Sequence, residues 1–115
     1  MKEKKENLEE ELRKHLPTQE EILEVSEAMK QLGDPSRLRI FWLLCHCEEC
    51  VQSIASLVNM SSPAVSHHLR LLKGAGLICA KRDGKEMYYR ASDTELAQAL
   101  HQTIEHIAKI TCPEK

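Results

Sequence analysis

The chain has 115 residues, a length typical of one domain of about 100–150 residues, and it is too short for a multidomain enzyme with a deep cleft. Its longest apolar run, residues 40–45, is far below the ~20 residues that span a bilayer, and residues 1–6 are too charged for a secretory signal, so we expect a cytoplasmic protein with no membrane contact. The net charge is −2, but residues 61–90 carry six Lys and Arg against two Asp and Glu, a net +4, which favours contact with a polyanion through that segment.

An N-terminal helix is predicted to precede the main domain. Leu8, Leu12 and Leu16 recur at four-residue intervals among charged residues, a spacing typical of a helix with one apolar stripe. Pro17 ends this helix. We therefore expect an N-terminal helical extension over residues 1–17 and a main domain over residues 18–112.

Two further helices are predicted before residue 50. Thr18 and Glu21 have the spacing of a capping box, and the helix that they open ends at Gly33. Asp34 and Pro35 then open another helix, as its N-cap and its first helical residue. The spacing i, i+3, i+4, i+7 predicts that its apolar face carries Leu38, Phe41, Trp42 and Cys45.

Residues 52–72 have the pattern of a helix-turn-helix. Two helices that cross closely need a small residue in the first helix and an aliphatic residue in the second to fill the gap. The turn between them needs a residue that tolerates the left-handed conformation, and Asn does so best among the non-glycine residues. Ala55, Asn59 and Val65 meet these three needs. Either Ser61 or Ser62 is expected to cap the second helix.

A β-hairpin and a last helix complete the prediction. Residues 77–82 and 86–91 predict two strands, and Asp83-Gly84 between them is a strong hairpin turn signal. The final helix opens near Ser92 and carries the apolar residues Leu96, Leu100, Ile104 and Ile107. The fold class is therefore mostly α with a small β-hairpin: a winged helix-turn-helix in the order α-α-α-α-α-β-β-α.

Side chains that donate hydrogen bonds or carry positive charge lie on the second helix of the pair and on the hairpin. Ser62, Ser66, His67 and Arg70 offer hydroxyl and cationic groups suited to phosphates and to base edges in the major groove. The hairpin tip is basic, and a basic hairpin beside a recognition helix is a wing that reaches the adjacent backbone or minor groove. Of the neighbouring His67 and His68, we expect one to face solvent or DNA and the other to pack.

Several motifs in this order resemble the ArsR/SmtB family over about residues 20–110. They are LGDPSRLRI at 32–40, SHHLRLL at 66–72, AGLI at 75–78, RDGK at 82–85, and Tyr88-Tyr89. The resemblance implies a homodimeric winged helix-turn-helix protein that represses transcription in bacteria or archaea. It also implies that an effector, often a metal or metalloid ion, weakens operator binding.

The resemblance implies a metal site on the C-terminal helix. Asp93 and His106 match the ligands of that site, Glu95 stands where His is usual, and Lys109 stands where the last ligand is usual. Glu95 and His106 are 11 residues apart, roughly 16 Å along one helix, so only two antiparallel helices across a dimer axis bring them to one ion. Alternatively, Ser92 and Glu95 form a capping box, Asp93 complements the helix dipole and His106 is a surface residue.

Cys45, Cys47 and Cys50 form a second potential site. Cys50 matches the first of a cysteine pair in the soft-metal members of the family, although the second position of that pair is not cysteine here. With a flexible turn at Glu48-Glu49, three thiolates would be available to Zn(II), Cd(II), Pb(II) or As(III). Alternatively, Cys45 is a core residue and the other two are incidental. A third interpretation is a redox pair, formed by two of these thiols or by one of them with Cys112.

The sequence thus predicts a repressor that binds double-stranded operator DNA as a homodimer and is released by an effector, a metal or metalloid ion. The C-terminal helix is expected to be a dimerisation helix that forms the interface with the first helix and buries Leu96, Leu100, Ile104 and Ile107 there. Three alternatives remain: a thiol-based redox or sulfur-responsive repressor, an effector-independent DNA-binding protein, and a small metal carrier. An enzyme is not expected, because Cys50 and His46 have no oxyanion donors or glycine-rich loop beside them. Base edges are assigned to Ser62, Ser66 and His67, and phosphates to Arg70, Lys73, Lys81, Arg82 and Lys85.

Overall fold

The structure is a computed structural model that describes residues 2–109. Six helices and three short strands make up this part of the chain. In order they are α1 (Lys2–His15), α2 (Gln19–Leu32), α3 (Pro35–Leu44), β1 (Glu49–Cys50), α4 (Val51–Val58), α5 (Ser62–Gly74), β2 (Ile78–Asp83), β3 (Glu86–Ala91) and α6 (Glu95–Ala108).

The predicted caps of α2 and α3 are confirmed. The Thr18 hydroxyl accepts a hydrogen bond from the Glu21 N–H, and the Glu21 carboxylate accepts one from the Thr18 N–H, each at 3.1 Å. Gly33 caps the end of α2. The Asp34 carboxylate then accepts from the Arg37 N–H at 3.0 Å, with Pro35 in the first turn.

The core lies between α3, α4, α5 and the start of β2, and its largest fully buried side chains are Phe41, Ile40, Leu44, Ile54, Leu69, Leu72, Leu77 and Val65. The buried face of α3 differs from the predicted one. Phe41 is common to both, but Ile40 and Leu44 are buried where Leu38 and Trp42 are only half-buried. Because residues 40–45 are all apolar, helical periodicity does not distinguish one face of α3 from another.

The sheet has three antiparallel strands in the order β1-β3-β2. The hairpin is confirmed, and Asp83 pairs with Glu86 across the two-residue turn Gly84-Lys85. Gly84 has a φ of 65°, a left-handed conformation that glycine adopts without steric cost. β1 was not predicted, and its two residues pair with Tyr88 and Tyr89 of β3.

The two terminal helices differ in how far they pack on this core. On α6, Ala97 is buried, and Leu96, Leu100 and Ile104 pack against the core cluster. On α1, by contrast, the apolar stripe lies open, with Leu8 and Leu12 more than half exposed. Within residues 2–109 we find no helix that combines the length and the apolar character needed to cross a membrane.

Candidate DNA-binding surface and ligand sites

The turn between α4 and α5 has the predicted geometry. Asn59 ends α4 in the left-handed conformation, with φ 56° and ψ 53°, and its N–H donates to the Ala55 carbonyl. Ala55 is buried on α4, and Val65 is fully buried on α5. The small residue and the aliphatic residue therefore both lie in the core, which leaves the opposite face of α5 towards solvent.

The outer face of α5 is polar, and the helix contains no acidic residue. Ser61 is its N-cap, accepting from the Ala64 N–H at 3.3 Å, so Ser61 rather than Ser62 has the capping role. The predicted DNA-contacting positions of α5 are accessible: Ser66 is half-buried, and the others, Ser62, His67, Arg70 and Lys73, are exposed.

The hairpin of β2 and β3 projects three basic side chains into solvent. Lys81 and Arg82 lie on β2, Lys85 lies in the turn, and all three are exposed. Only three residues separate the end of α5 from β2. The basic hairpin therefore follows the polar helix directly, and α5 contacts β2. We call the exposed side chains of the two elements together the α5–wing surface.

His68 is the packed member of the histidine pair, whereas His67 is exposed, as predicted. The His68 Nδ1 atom lies 3.3 Å from Arg37 Nη1 and 4.0 Å from Asp34 Oδ2. Because a guanidinium only donates, Nδ1 accepts, and the imidazole in this contact is neutral. Burial lowers the pKa of His68, against an opposing effect of the Asp34 carboxylate. This contact joins the start of α3 to the middle of α5, and it was not predicted from the sequence.

The three predicted thiol ligands are held by separate local contacts. Cys45 caps the end of α3 and packs against the core. The Cys47 thiol lies 3.4 Å from the Leu43 carbonyl, to which it donates. The Cys50 sulfur lies 3.5 Å from the Ser53 hydroxyl. No cysteine belongs to a converging group of three potential metal ligands in the described part of the chain, so the thiol site stays a prediction.

The strand β1 restrains the segment that contains Cys50. Glu49 and Cys50 pair with β3, so the turn that was expected to be flexible is held by the sheet. The thiols also differ in acidity. Burial raises the pKa of Cys47, and Glu49 adds to that effect. Hydrogen bonds with Ser53 lower the pKa of Cys50. Cys112 lies outside the described residues.

The predicted ligands of the C-terminal site lie at opposite ends of α6. Asp93 and Glu95 are at its beginning, His106 is in its last turn, and all three are exposed. One chain therefore does not bring them together, as the spacing predicted. The two-subunit arrangement stays a prediction.

The cap of α6 differs from the alternative that the sequence offered. Thr94, not Ser92, is the N-cap, and its hydroxyl accepts from the Ala97 N–H at 3.1 Å. The Ser92 N–H instead donates to the Leu77 carbonyl at 2.9 Å. Asp93 pairs with Arg90 at 3.0 Å.

Three side chains converge in a group that was not predicted from the sequence. His46, His101 and Glu105 place one ligand atom each within 4.8 Å of one another, and all three are half-buried. His46 follows the end of α3, while His101 and Glu105 are four residues apart on α6. The spacing of four residues between His101 and Glu105 indicates that they share one face of α6. Their partner His46 lies 55 residues from His101 in sequence, so the sequence did not indicate that the three converge.

Comparison with known proteins decides which family the chain belongs to. A profile described as "Bacterial regulatory protein, arsR family" matches residues 34–79. The transcriptional repressor SmtB of Mycobacterium tuberculosis is 33% identical over 91 residues, which cover 78% of this chain and 67% of that protein. The chain belongs to the ArsR/SmtB family.

Two further ArsR/SmtB comparisons agree with this assignment. A cadmium resistance regulatory protein CadC homolog of Staphylococcus aureus is 33% identical, over 73% of this chain and 70% of that protein. A solution structure of a homodimeric winged helix-turn-helix DNA-binding domain from Mycobacterium bovis has a TM-score of 0.70 at 30% identity, covering 82% of this chain and 88% of that one. The predicted fold class is confirmed, and membership of a family of transcriptional regulators confirms that the chain is not an enzyme.

Proposed function

We propose that this ArsR/SmtB protein is a homodimeric transcriptional repressor that binds a specific operator in double-stranded DNA and leaves it when an effector binds. The observation that carries the proposal is the α5–wing surface. It combines an exposed helix face free of acidic residues with three exposed basic residues of the hairpin. A face of this kind suits a polyanion with a groove, since donors from the helix and cations from the wing approach it from one side.

The residues of the α5–wing surface divide by chemistry. Ser62, Ser66 and His67 lie in the first half of α5, the part of a recognition helix that contacts base edges, so we assign sequence recognition to them. The cationic side chains neutralise phosphates and supply the salt-dependent part of the affinity; they are Arg70, Lys73, Lys81, Arg82 and Lys85.

Exposed apolar side chains support the homodimer. Leu8 and Leu12 on α1 are 59% and 56% exposed, and Ile107 on α6 is 74% exposed. Burial of such side chains against a second copy gains hydrophobic free energy that a monomer lacks. The described homodimer of the Mycobacterium bovis domain is consistent with this assignment. A dimer sets two recognition helices about one turn of DNA apart, roughly 34 Å.

We assign the effector to metal or metalloid ions, because relatives of the chain include a regulator named for cadmium resistance. Zn(II), Cd(II), Pb(II) and As(III) are the ions to test. An effector weakens DNA binding only by binding the DNA-incompetent dimer more tightly, and such coupling is typically about 1–3 kcal/mol.

The experiment begins with selection of a binding sequence from random duplex DNA. Affinity for the enriched duplex is then measured at several salt concentrations, and again with each of the four ions under reducing conditions. We expect enrichment of a two-fold symmetric sequence, an affinity that falls steeply with salt, and at least one ion that lowers it. Failure to enrich any sequence contradicts the proposed DNA recognition.

The thiol-based alternative is tested in the same assay. Its support is Cys50, whose pKa is lowered by hydrogen bonds with Ser53, because thiolate character favours oxidation. A disulfide oxidant that releases DNA in the absence of metal, with no effect on a Cys50→Ser variant, identifies a thiol switch. Release by neither ions nor oxidant identifies an effector-independent DNA-binding protein.

A further inference from the structure

We propose that His46, His101 and Glu105 form a binding site for one divalent transition-metal ion, of the Zn(II) class, within a single subunit. The site is distinct from the thiol group and from the predicted ligands at the two ends of α6. Metal binding itself does not depend on the proposed function; only its regulatory consequence rests on that function.

The distances between the ligand atoms fit one ion. His46 Nε2 lies 3.0 Å from His101 Nε2 and 3.6 Å from Glu105 Oε2, and His101 Nε2 lies 3.3 Å from Glu105 Oε1. Ligands at 2.0–2.1 Å from a tetrahedral Zn(II) are separated by about 3.3–3.4 Å. The three side chains therefore already have nearly the spacing that coordination requires.

Neighbouring structure holds these side chains in place. The Trp42 ring packs against the His46 ring at a centroid distance of 4.6 Å, and the His101 ring meets His46 edge-on at 4.7 Å. The side chains of all three ligands are only 16–20% exposed. Such restraint lowers the entropy lost when an ion binds.

An open cleft connects the two imidazoles with solvent. It has a volume of ≈ 380 Å³, and its lining includes His46, His101, Cys45 and Cys47. An ion therefore reaches the two imidazoles without unfolding of the core. Three protein ligands leave the fourth position of a tetrahedron for water.

The donor set determines the class of ion. Two imidazole nitrogens and one carboxylate oxygen suit Zn(II), Co(II) and Ni(II), whereas Pb(II) and As(III) prefer thiolates. The ion would bridge α6 to the segment between α3 and β1. That segment continues into Glu48, which lies 3.9 Å from Arg90 of the wing strand β3. An ion at this site thus restrains α6 and the base of the wing together.

The test is titration of the purified, metal-free protein with Zn(II) and Co(II). Trp42 is the single tryptophan of the chain and contacts His46, so its fluorescence reports binding at this site. Competition with a chromophoric chelator gives the affinity and the stoichiometry. We expect one ion per chain and a Co(II) spectrum of nitrogen and oxygen ligands.

Two substitutions remove ligands with little change in size, His101→Gln and Glu105→Gln. Each is expected to lower Zn(II) affinity by more than about 100-fold, a loss beyond that typical of outer-shell changes. His15→Gln on α1 and Glu24→Gln on α2 are the matched controls, because both residues are exposed and belong to none of the predicted metal sites, and they are expected to bind as the parent does. Circular dichroism and thermal unfolding with chelator present show whether each variant is folded.

Parent-like Zn(II) affinity of both folded ligand variants overturns the proposal, as does loss of binding in a Cys47→Ser/Cys50→Ser variant. The outcome is separable from the proposed function. A protein that binds Zn(II) through these residues but selects no DNA sequence retains the metal site and loses the repressor assignment. A protein that selects an operator but binds no Zn(II) keeps the repressor assignment and loses the metal site.

Discussion

Arg70 and Lys81 belong to different elements, α5 and β2, but both extend into solvent from the α5–wing surface. No ion pair engages either side chain within residues 2–109. A cation without an internal partner gives up no protein contact when it binds a phosphate. Each such contact releases about one counterion from the duplex.

We therefore expect Arg70→Ala and Lys81→Ala each to reduce the slope of log affinity against log salt by about one. The measurement is fluorescence anisotropy with the selected duplex over a salt series. Lys30→Ala is the matched control, since Lys30 is an exposed cation on α2, and its slope should equal that of the parent. An unchanged slope in Arg70→Ala or Lys81→Ala removes that residue from the DNA contact.

His68 makes the stability of the fold depend on pH. Burial lowers its pKa below the ordinary value of 6.5, while the neighbouring Arg37 and His67 also lower it and Asp34 opposes them. The unfolded chain therefore takes up this proton at a higher pH than the folded chain does. The contribution of the neutral imidazole is complete above 6.5, and it is lost as the pH falls through the folded-state pKa.

This predicts that the parent loses more free energy of unfolding between about pH 8 and pH 5 than His68→Gln does. Urea unfolding at a series of pH values measures the difference. His106→Gln serves as the control, because His106 is exposed on α6 and is not among the groups that shift the His68 pKa, so its pH profile should follow that of the parent. Parallel profiles for the parent and His68→Gln would show that this histidine does not link folding to pH.

At the scale of elements, the sequence predicted what local chemistry decides. Capping residues such as Thr18 and Asp34 accept hydrogen bonds from unpaired N–H groups of their own helix, so their positions can be predicted without knowledge of the fold. The buried face of α3 and the strand β1 are not local. An all-apolar helix buries whichever side the rest of the core meets, and Glu49 and Cys50 form a strand only because β3 lies beside them.

The turn between α4 and α5 gives a prediction at this scale. Asn59 has a φ of 56°. At this φ the Cβ atom lies too close to the following carbonyl oxygen, a steric cost that the short polar side chain of Asn can offset by local hydrogen bonds. Asn59→Ala is expected to destabilise the protein by about 1 kcal/mol, while Asn59→Gly, which has no Cβ, should change stability less. Chemical denaturation measures both, with Ser56→Ala on the exposed side of α4 as the control. Equal losses for Ala and Gly would mean that the asparagine side chain, not the backbone conformation, stabilises the turn.

At the scale of the molecule, the α5–wing surface was predictable and the histidine–glutamate site was not. Residues of that surface are close in sequence, on one helix and the hairpin after it, so a charge count over residues 61–90 was enough to locate them. His46 and His101 are 55 residues apart. They meet because α6 returns across the end of α3, and only the packing of Leu96, Leu100 and Ile104 against the core establishes that path.

A last prediction separates the property that needs two subunits, DNA binding by the dimer, from the property that needs one, metal binding. The exposed stripe of α1 and the exposed Ile107 of α6 belong to the proposed dimer interface, whereas the histidine–glutamate site is complete in one chain. A Leu12→Glu/Ile107→Glu variant places charge at both positions, and burial of an unpaired carboxylate opposes association. We expect sedimentation to show a monomer of 13.2 kDa that binds the two-fold symmetric duplex weakly, because the second recognition helix is lost.

Leu57→Glu is the matched control, since Leu57 is 61% exposed on α4 and lies on neither stripe, so this variant should stay dimeric. The monomeric variant should still bind one Zn(II) per chain, because neither substituted residue is a ligand. A variant that remains a dimer would place the interface on another surface. A monomer that no longer binds Zn(II), although folded, would show that the metal site needs residues of both subunits.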